Sequence, residues 1–206
     1  MKLFSPSQYQ GVASQVVEEI KREVERLIPE SRVEHVGSSA IPGAVSKGDI
    51  DICVIVPALR HPSAVATLES AGYVAKIGTL RTPDLCMLQS PRTDCDVALQ
   101  VIASGSRFEF FMDFRDALRN SPALVQKYNE VKQSSAGAGP DEYRSAKSDF
   151  IAAVLQSAKR PIDGLGTGEA APRGNGSPQR ADCGSMRGIR SRLTGCAARA
   201  PGDEMD

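Results

Sequence analysis

Gly37-Ser38-Ser39 and, a short segment further on, Asp49-Ile50-Asp51-Ile52-Cys53-Val54-Ile55-Val56 are the stretches whose reading decides the fold. The second is rich in β-branched residues and is stopped by Pro57, so a strand is predicted over 49–56. Side chains alternate faces along a strand, so Asp49 and Asp51 project the same way. Two carboxylates held within a few ångströms repel each other, and burying them is costly unless something compensates. A divalent cation does so. Mg²⁺ (or Mn²⁺) suits the pair, because Mg²⁺ binds through one or two carboxylates plus substrate phosphates and keeps waters. The plainer alternative is an edge strand whose acids face water.

Upstream, Arg32 to Val36 alternates weakly and predicts a short strand that runs into Gly37. Glycine there permits close backbone approach to a ligand. If the residues that follow open a helical turn, their free N–H groups and the hydroxyls of Ser38 and Ser39 would face a phosphate. An ordinary Gly-Ser turn is the competing explanation. Neither a Walker A spacing nor Gly-x-Gly-x-x-Gly occurs. Lys47, two residues before Asp49, is placed either on a phosphate as a point charge or in a solvated loop.

Working outward, Ser5-Pro6-Ser7-Gln8 has the form of a helix start, with Ser5 as N-cap and Gln8 completing a capping box. Val12, Val16, Ile20, Val24 and Leu27 recur at helical spacing until Pro29. A helix is predicted over 61–71, strands over 73–77, 85–89 and 96–102, and helices near 106–120, 122–134 and 140–158. Short strands followed by a helical run indicate a mixed α/β (α+β) domain with its C-terminal helices on one side.

At 206 residues the chain fits one domain, 1–160, plus a tail. Over 161–206 apolar periodicity ends and no aromatic residue occurs, so the segment cannot offset its ordering entropy and disorder is predicted. Its six arginines offer contact with an acidic partner, but a solvated tail is the expectation. Formal net charge is zero, which gives no indication of a general nucleic-acid or membrane binder. There is no apolar run of about 18 residues, so no membrane span is predicted. The N-terminus lacks the apolar core of a secretory signal. Five cysteines without Cys-x-x-Cys spacing argue against a disulfide framework or structural zinc, and a reducing cytoplasm is the default location.

Together, strand, Gly-Ser-Ser, and Lys47-Gly48-Asp49-Ile50-Asp51 resemble the signature of the nucleotidyltransferase superfamily. Val33-Glu34-His35-Val36-Gly37-Ser38-Ser39-Ala40-Ile41-Pro42-Gly43 resembles the N-terminal motif of the GrpB family more closely. Phe114-Arg115-Asp116-Ala117-Leu118-Arg119, Tyr128-Asn129-Glu130-Val131-Lys132 and Tyr143-Arg144-Ser145-Ala146-Lys147 resemble that family's helical segments in the same order. The resemblance spans residues 5–158. It implies a small, mixed, twisted sheet flanked by helices, with a nucleoside triphosphate between the Gly-Ser turn and the acidic strand. It further implies a third carboxylate from a later strand: Asp96, with Asp94 as substitute. At Ala98 and Gln100 the sequence departs from the Asn and His, or two His, often seen in GrpB-like proteins.

The expected site is therefore Asp49, Asp51 and Asp96 for catalysis and metal, with Gly37, Ser38, Ser39 and Lys47 for the nucleotide. The expected reaction moves a nucleotidyl group from a nucleoside triphosphate to an acceptor that no motif identifies. The alternative is a nucleotide-binding or interaction domain that kept the fold and lost catalysis. His35 is expected to be a hydrogen-bonded structural residue, and His61 to be solvated. Arg115 is expected to tie its helix to the sheet. Lys132, Tyr143 and Lys147 are placed either facing the nucleotide or, preferred, on a solvated face with Tyr143 packed inward, and Cys53 and Cys95 in the core.

Overall fold

Ser5 opens the first helix as the capping box requires: its backbone N–H donates to Gln8 Oε1 at 2.8 Å, with Pro6 at the first position. The computed structural model describes residues 2–158. The tail predicted over 161–206 lies outside the described residues. Helix α1 (Pro6–Leu27) buries Tyr9, Ala13, Val16, Val17, Ile20 and Val24. Val12 does not join that stripe and is 60% exposed. At 3.6 residues per turn it lies about 90° round the helix from the stripe's centre, which Tyr9 and Ala13 define instead.

Strands β1 (Arg32–Val36), β2 (Ile50–Val56), β3 (Val74–Ala75), β4 (Leu85–Gln89) and β5 (Val97–Ala103) form one sheet in the order β1-β2-β5-β4-β3. Only β2 and β5 run parallel; the other pairs are antiparallel. The parallel pair needs a crossover, and helix α2 (His61–Ser70) with the β3–β4 hairpin supplies it. The strand predicted over 73–77 contracts to Val74–Ala75, because Tyr73 turns into the core and Ile77 stands 96% exposed. Helices α3 (Phe110–Arg119), α4 (Pro122–Ser134) and α5 (Pro140–Ala158) follow the sheet.

Alternation along β2 divides the interior. Ile50, Ile52, Val54 and Val56 pack with Val97, Leu99 and Val101 under α1 and α2. The opposite face holds Val36, Cys53, Ile55, Leu85 and Ile102 against Phe108 and Met112. A third cluster joins Ile41 and Ala44 of the loop before β2 to Phe114, Leu118, Val125, Tyr128 and Val154 of the C-terminal helices. That cluster brings α4 and α5 beside the acidic end of β2. His61 is buried, against expectation, and its Nε2–H donates to the Val101 carbonyl at 3.1 Å. Its spacing with Ala64, Val65 and Leu68 places it on the inward stripe of α2. No helix among the described residues is long and apolar enough to cross a membrane.

Candidate functional site

The site forms where β1 ends and β2 begins. Val36 pairs with Asp51 in antiparallel register, so the turn at Gly37 passes directly over the Asp51 carboxylate. Gly37 has φ +70°, and a Cβ there would lie 2.4 Å from Asp51 Oδ2. Glycine is thus required twice, by the left-handed backbone and by the neighbouring carboxylate. Ser38–Ala40 then makes a single 3₁₀ turn.

The two serines part company. Ser39 is buried, and its hydroxyl lies 2.9 Å from His35 Nε2. Burial first, then the charges of Arg119 and Arg115, push the His35 pKa down to about 4, so the ring stays neutral and structural, as expected. Ser38 faces the other way. Its Oγ lies 3.3 Å from Tyr128 Oη and accepts from Lys132 Nζ at 3.2 Å.

Asp49 pairs with Lys47 at 3.1 Å and accepts from the buried Ser46 hydroxyl at 3.4 Å. Asp51 is half-buried, and its Oδ1 accepts from Gln100 Nε2 at 3.0 Å. Burial raises its pKa to about 6, and the charge of Asp49 adds to the rise; Lys147, Gln100 and Lys47 act against it. Burial and the neighbouring carboxylate thus work against the charge on Asp51, and Lys147, Gln100 and Lys47 offset that only in part.

Asp96 stands at the head of β5. Its carbonyl accepts from the Ile50 N–H at 2.9 Å, and its carboxylate accepts from Gln89 Nε2 at 2.9 Å. Among the described residues no three His, Cys, Asp or Glu side chains gather closely enough to share a metal ion. The carboxylates of Asp49 and Asp51 suit one divalent cation, whose remaining positions phosphate oxygens and water can fill. Asp94 is exposed and bound by Arg92 Nη2 at 2.7 Å, away from this cluster. Burial pushes the Cys53 thiol well up, consistent with an inert core position.

The C-terminal helices contribute more than the sequence indicated. Lys132 is not on a solvated face but is fully buried. Its ammonium donates to Ser38 Oγ and to the Val45 carbonyl, and sits 4.0 Å from the Tyr128 ring centroid. Burial, reinforced by the charge of Lys147, pushes its pKa down to about 7. Val125, Tyr128 and Lys132 share the inward stripe of α4, and a lysine in phase with apolar residues was the available signal. Lys147 is half-buried and lies 5.5 Å from the Tyr143 ring. Tyr128 first, then Asp49, Tyr143 and Asp51, raise its pKa against the effect of burial. Tyr143 is packed inward, as expected.

Other groups hold the loop between the turn and β2. Asn129 accepts from the Val45 N–H and donates to the Gly43 carbonyl, both at 2.8 Å. Tyr9 donates to the Ala44 carbonyl at 2.7 Å, and Arg119 to the Ala40 carbonyl at 2.9 Å. Arg115 ties α3 to the sheet as expected, donating to Glu34 at 2.8 Å and to the His35 carbonyl at 2.9 Å.

This arrangement has relatives. The family model described as GrpB protein matches residues 7–157. A UPF0157 protein of Vibrio cholerae is 46% identical over 158 residues, covering 77% of this chain and 84% of the relative. A UPF0157 protein of Deinococcus radiodurans is 35% identical over 133 residues, covering 64% and 69%. The crystal structure of the conserved protein GrpB from Enterococcus faecalis superposes with a TM-score of 0.63 at 23% identity, covering 76% of this chain and 96% of that one, and shows the same fold. With the matching segment running from α1 to the end of α5, the chain belongs to the GrpB family.

Proposed function

We propose that this domain binds a nucleoside triphosphate with Mg²⁺ or Mn²⁺ and transfers its nucleotidyl group to an acceptor. The observation that carries the reading is the placement of an incompletely compensated carboxylate pair opposite two lysines. The charge of Asp49, just before β2, acts on Asp51 within it, while Lys132 and Lys147 approach from α4 and α5. Asp49 and Asp51 would hold the cation, and Asp96 would complete the acidic set by giving up its bond to Gln89. The bound cation would neutralise charge on the attacking and leaving oxygens.

The chain's own residues do the positioning. Ser38, Lys47, Lys132 and Lys147 would take phosphate oxygens, and Gly37 keeps the turn close to the acids. Ser39, whose hydroxyl is engaged by His35, would offer its backbone N–H at the start of the 3₁₀ turn. In the transfer, an acceptor oxygen or nitrogen bonds to the α-phosphorus, the bond to pyrophosphate breaks, and the acceptor's proton passes to Asp96. A second reading, nucleotide binding without turnover, is favoured by the Gln89–Asp96 bond.

Titration calorimetry of a nucleoside triphosphate panel with Mg²⁺ tests the proposal on wild type and on Asp49→Ala/Asp51→Ala. Metal-dependent binding by the wild type, lost in the double variant, is the expected result. No binding by a folded wild type would overturn it. Binding with no loss of turnover in Asp96→Ala would remove Asp96 from the chemistry.

A further inference from the structure

Asp49 and Asp51 are held by different means. Asp51 lies inside β2, paired with Val36 of β1 on one side and Ala98 of β5 on the other, so two ladders fix its backbone. Asp49 precedes the strand, and Gly48 before it takes φ +95°. The position of Asp49 therefore depends on the short loop from Ser46 to Asp49 rather than on the sheet.

The segment ahead of α1 reaches that loop. Phe4 and Ser46 form an antiparallel bridge: the Phe4 N–H donates to the Ser46 carbonyl at 2.7 Å, and the Ser46 N–H donates to the Phe4 carbonyl at 3.2 Å. The Ser46 side chain carries the connection onward. Its hydroxyl accepts from the Gly48 N–H at 3.1 Å and donates to Asp49 Oδ1 at 3.4 Å. The Phe4 ring adds a second contact, so close to Gly48 that a Cβ there would lie 3.5 Å from Phe4 Cε2. A bridge this short is marginal by itself. The half-buried ring, packed against the main core, keeps it closed.

We propose that Phe4 is a positioning residue for the metal site, clamping the Ser46–Asp49 loop so that the Asp49 carboxylate reaches a divalent cation held by Asp51. This rests on the reading above that Asp49 and Asp51 bind the cation. The part played by Phe4 is indirect. It acts through Ser46 and Gly48, as the partners behind a ligating carboxylate do. Without the ring the loop shifts, Asp49 withdraws and water takes its place on the cation, while Asp51 stays where the ladders hold it.

The test is Tb³⁺ luminescence of the full chain with a non-hydrolysable ATP analogue, because decay rates in H₂O and D₂O count the waters on the bound ion. Phe4→Ala should weaken Tb³⁺ binding roughly tenfold and, at saturation, add about one coordinated water for the lost carboxylate oxygen. Phe4→Tyr, which keeps the ring, should restore both values. Phe4→Leu replaces the alanine variant if that one does not fold or cannot be saturated. An unchanged water count overturns the proposal even if affinity falls, since lost stability alone weakens binding without changing the ligands of the ion. Failure of the folded wild type to bind Tb³⁺ with the analogue overturns the metal and nucleotide reading instead.

Discussion

The two faces of β2 do opposite work with neighbouring residues. Ile50, Ile52, Val54 and Val56 disappear under α1 and α2 into the main apolar core. On the other face Asp51 is half-buried, leans on a glycine turn, and takes a hydrogen bond from a glutamine that is itself half-satisfied. The first face is consistent with packing alone. The second tolerates groups that a core would exclude, and it is there that the proposed site lies.

Substitutions on the two faces should therefore separate stability from binding. The largest effect belongs to the packed face. Ile52→Ala, at a fully buried site, should cost about 2–5 kcal/mol in denaturant unfolding, while its folded fraction binds nucleotide normally. Altered affinity of the folded fraction would break the separation.

Asp51→Asn should act with the opposite sign. The folded-state pKa of Asp51 is raised from 3.8 to about 6, so the folded protein binds the extra proton. The stability this brings is complete below about pH 4 and is lost as pH rises through 6. The wild type should consequently lose up to about 3 kcal/mol relative to Asp51→Asn between pH 4 and pH 7. Parallel melts at the two pH values check this, and equal losses in both proteins would refute it. The same variant should lose metal-dependent nucleotide binding.

Gly37→Ala is the smallest in stability, about 1–2 kcal/mol for a left-handed residue that gains a Cβ. Its binding defect should exceed what that figure implies, because the new methyl displaces the Asp51 carboxylate. Wild-type affinity in this variant would show that the turn does not set the position of Asp51.

The sequence conveyed the sheet well where one residue type dominated. The β-branched run read as a strand over 49–56 is β2, Ile50–Val56, so Asp51 lies in the strand and Asp49 stands just before it. Val12 and Tyr73–Ile77 were misjudged because apolar residues were counted without asking which direction the rest of the element faced. Lys132 and Lys147 were hidden for a different reason. Their partners lie far away along the chain, and only the packing of α4 and α5 on the Ile41–Ala44 loop brings them to the acids. Asp96 was legible as a residue but not as a geometry, since its bond to Gln89 depends on the antiparallel pairing of β4 with β5.

The distance in sequence between the acids and the lysines has a consequence for biosynthesis. Chains grow from the N-terminus, so β2 with its two carboxylates emerges before the helices that carry their counter-charges exist. Until α4 and α5 are made, Lys47 is the only one of these three lysines available to Asp49 and Asp51. The acidic end of the sheet is thus expected to stay hydrated and open on the nascent chain, and to close only when the last helix of the domain leaves the ribosome.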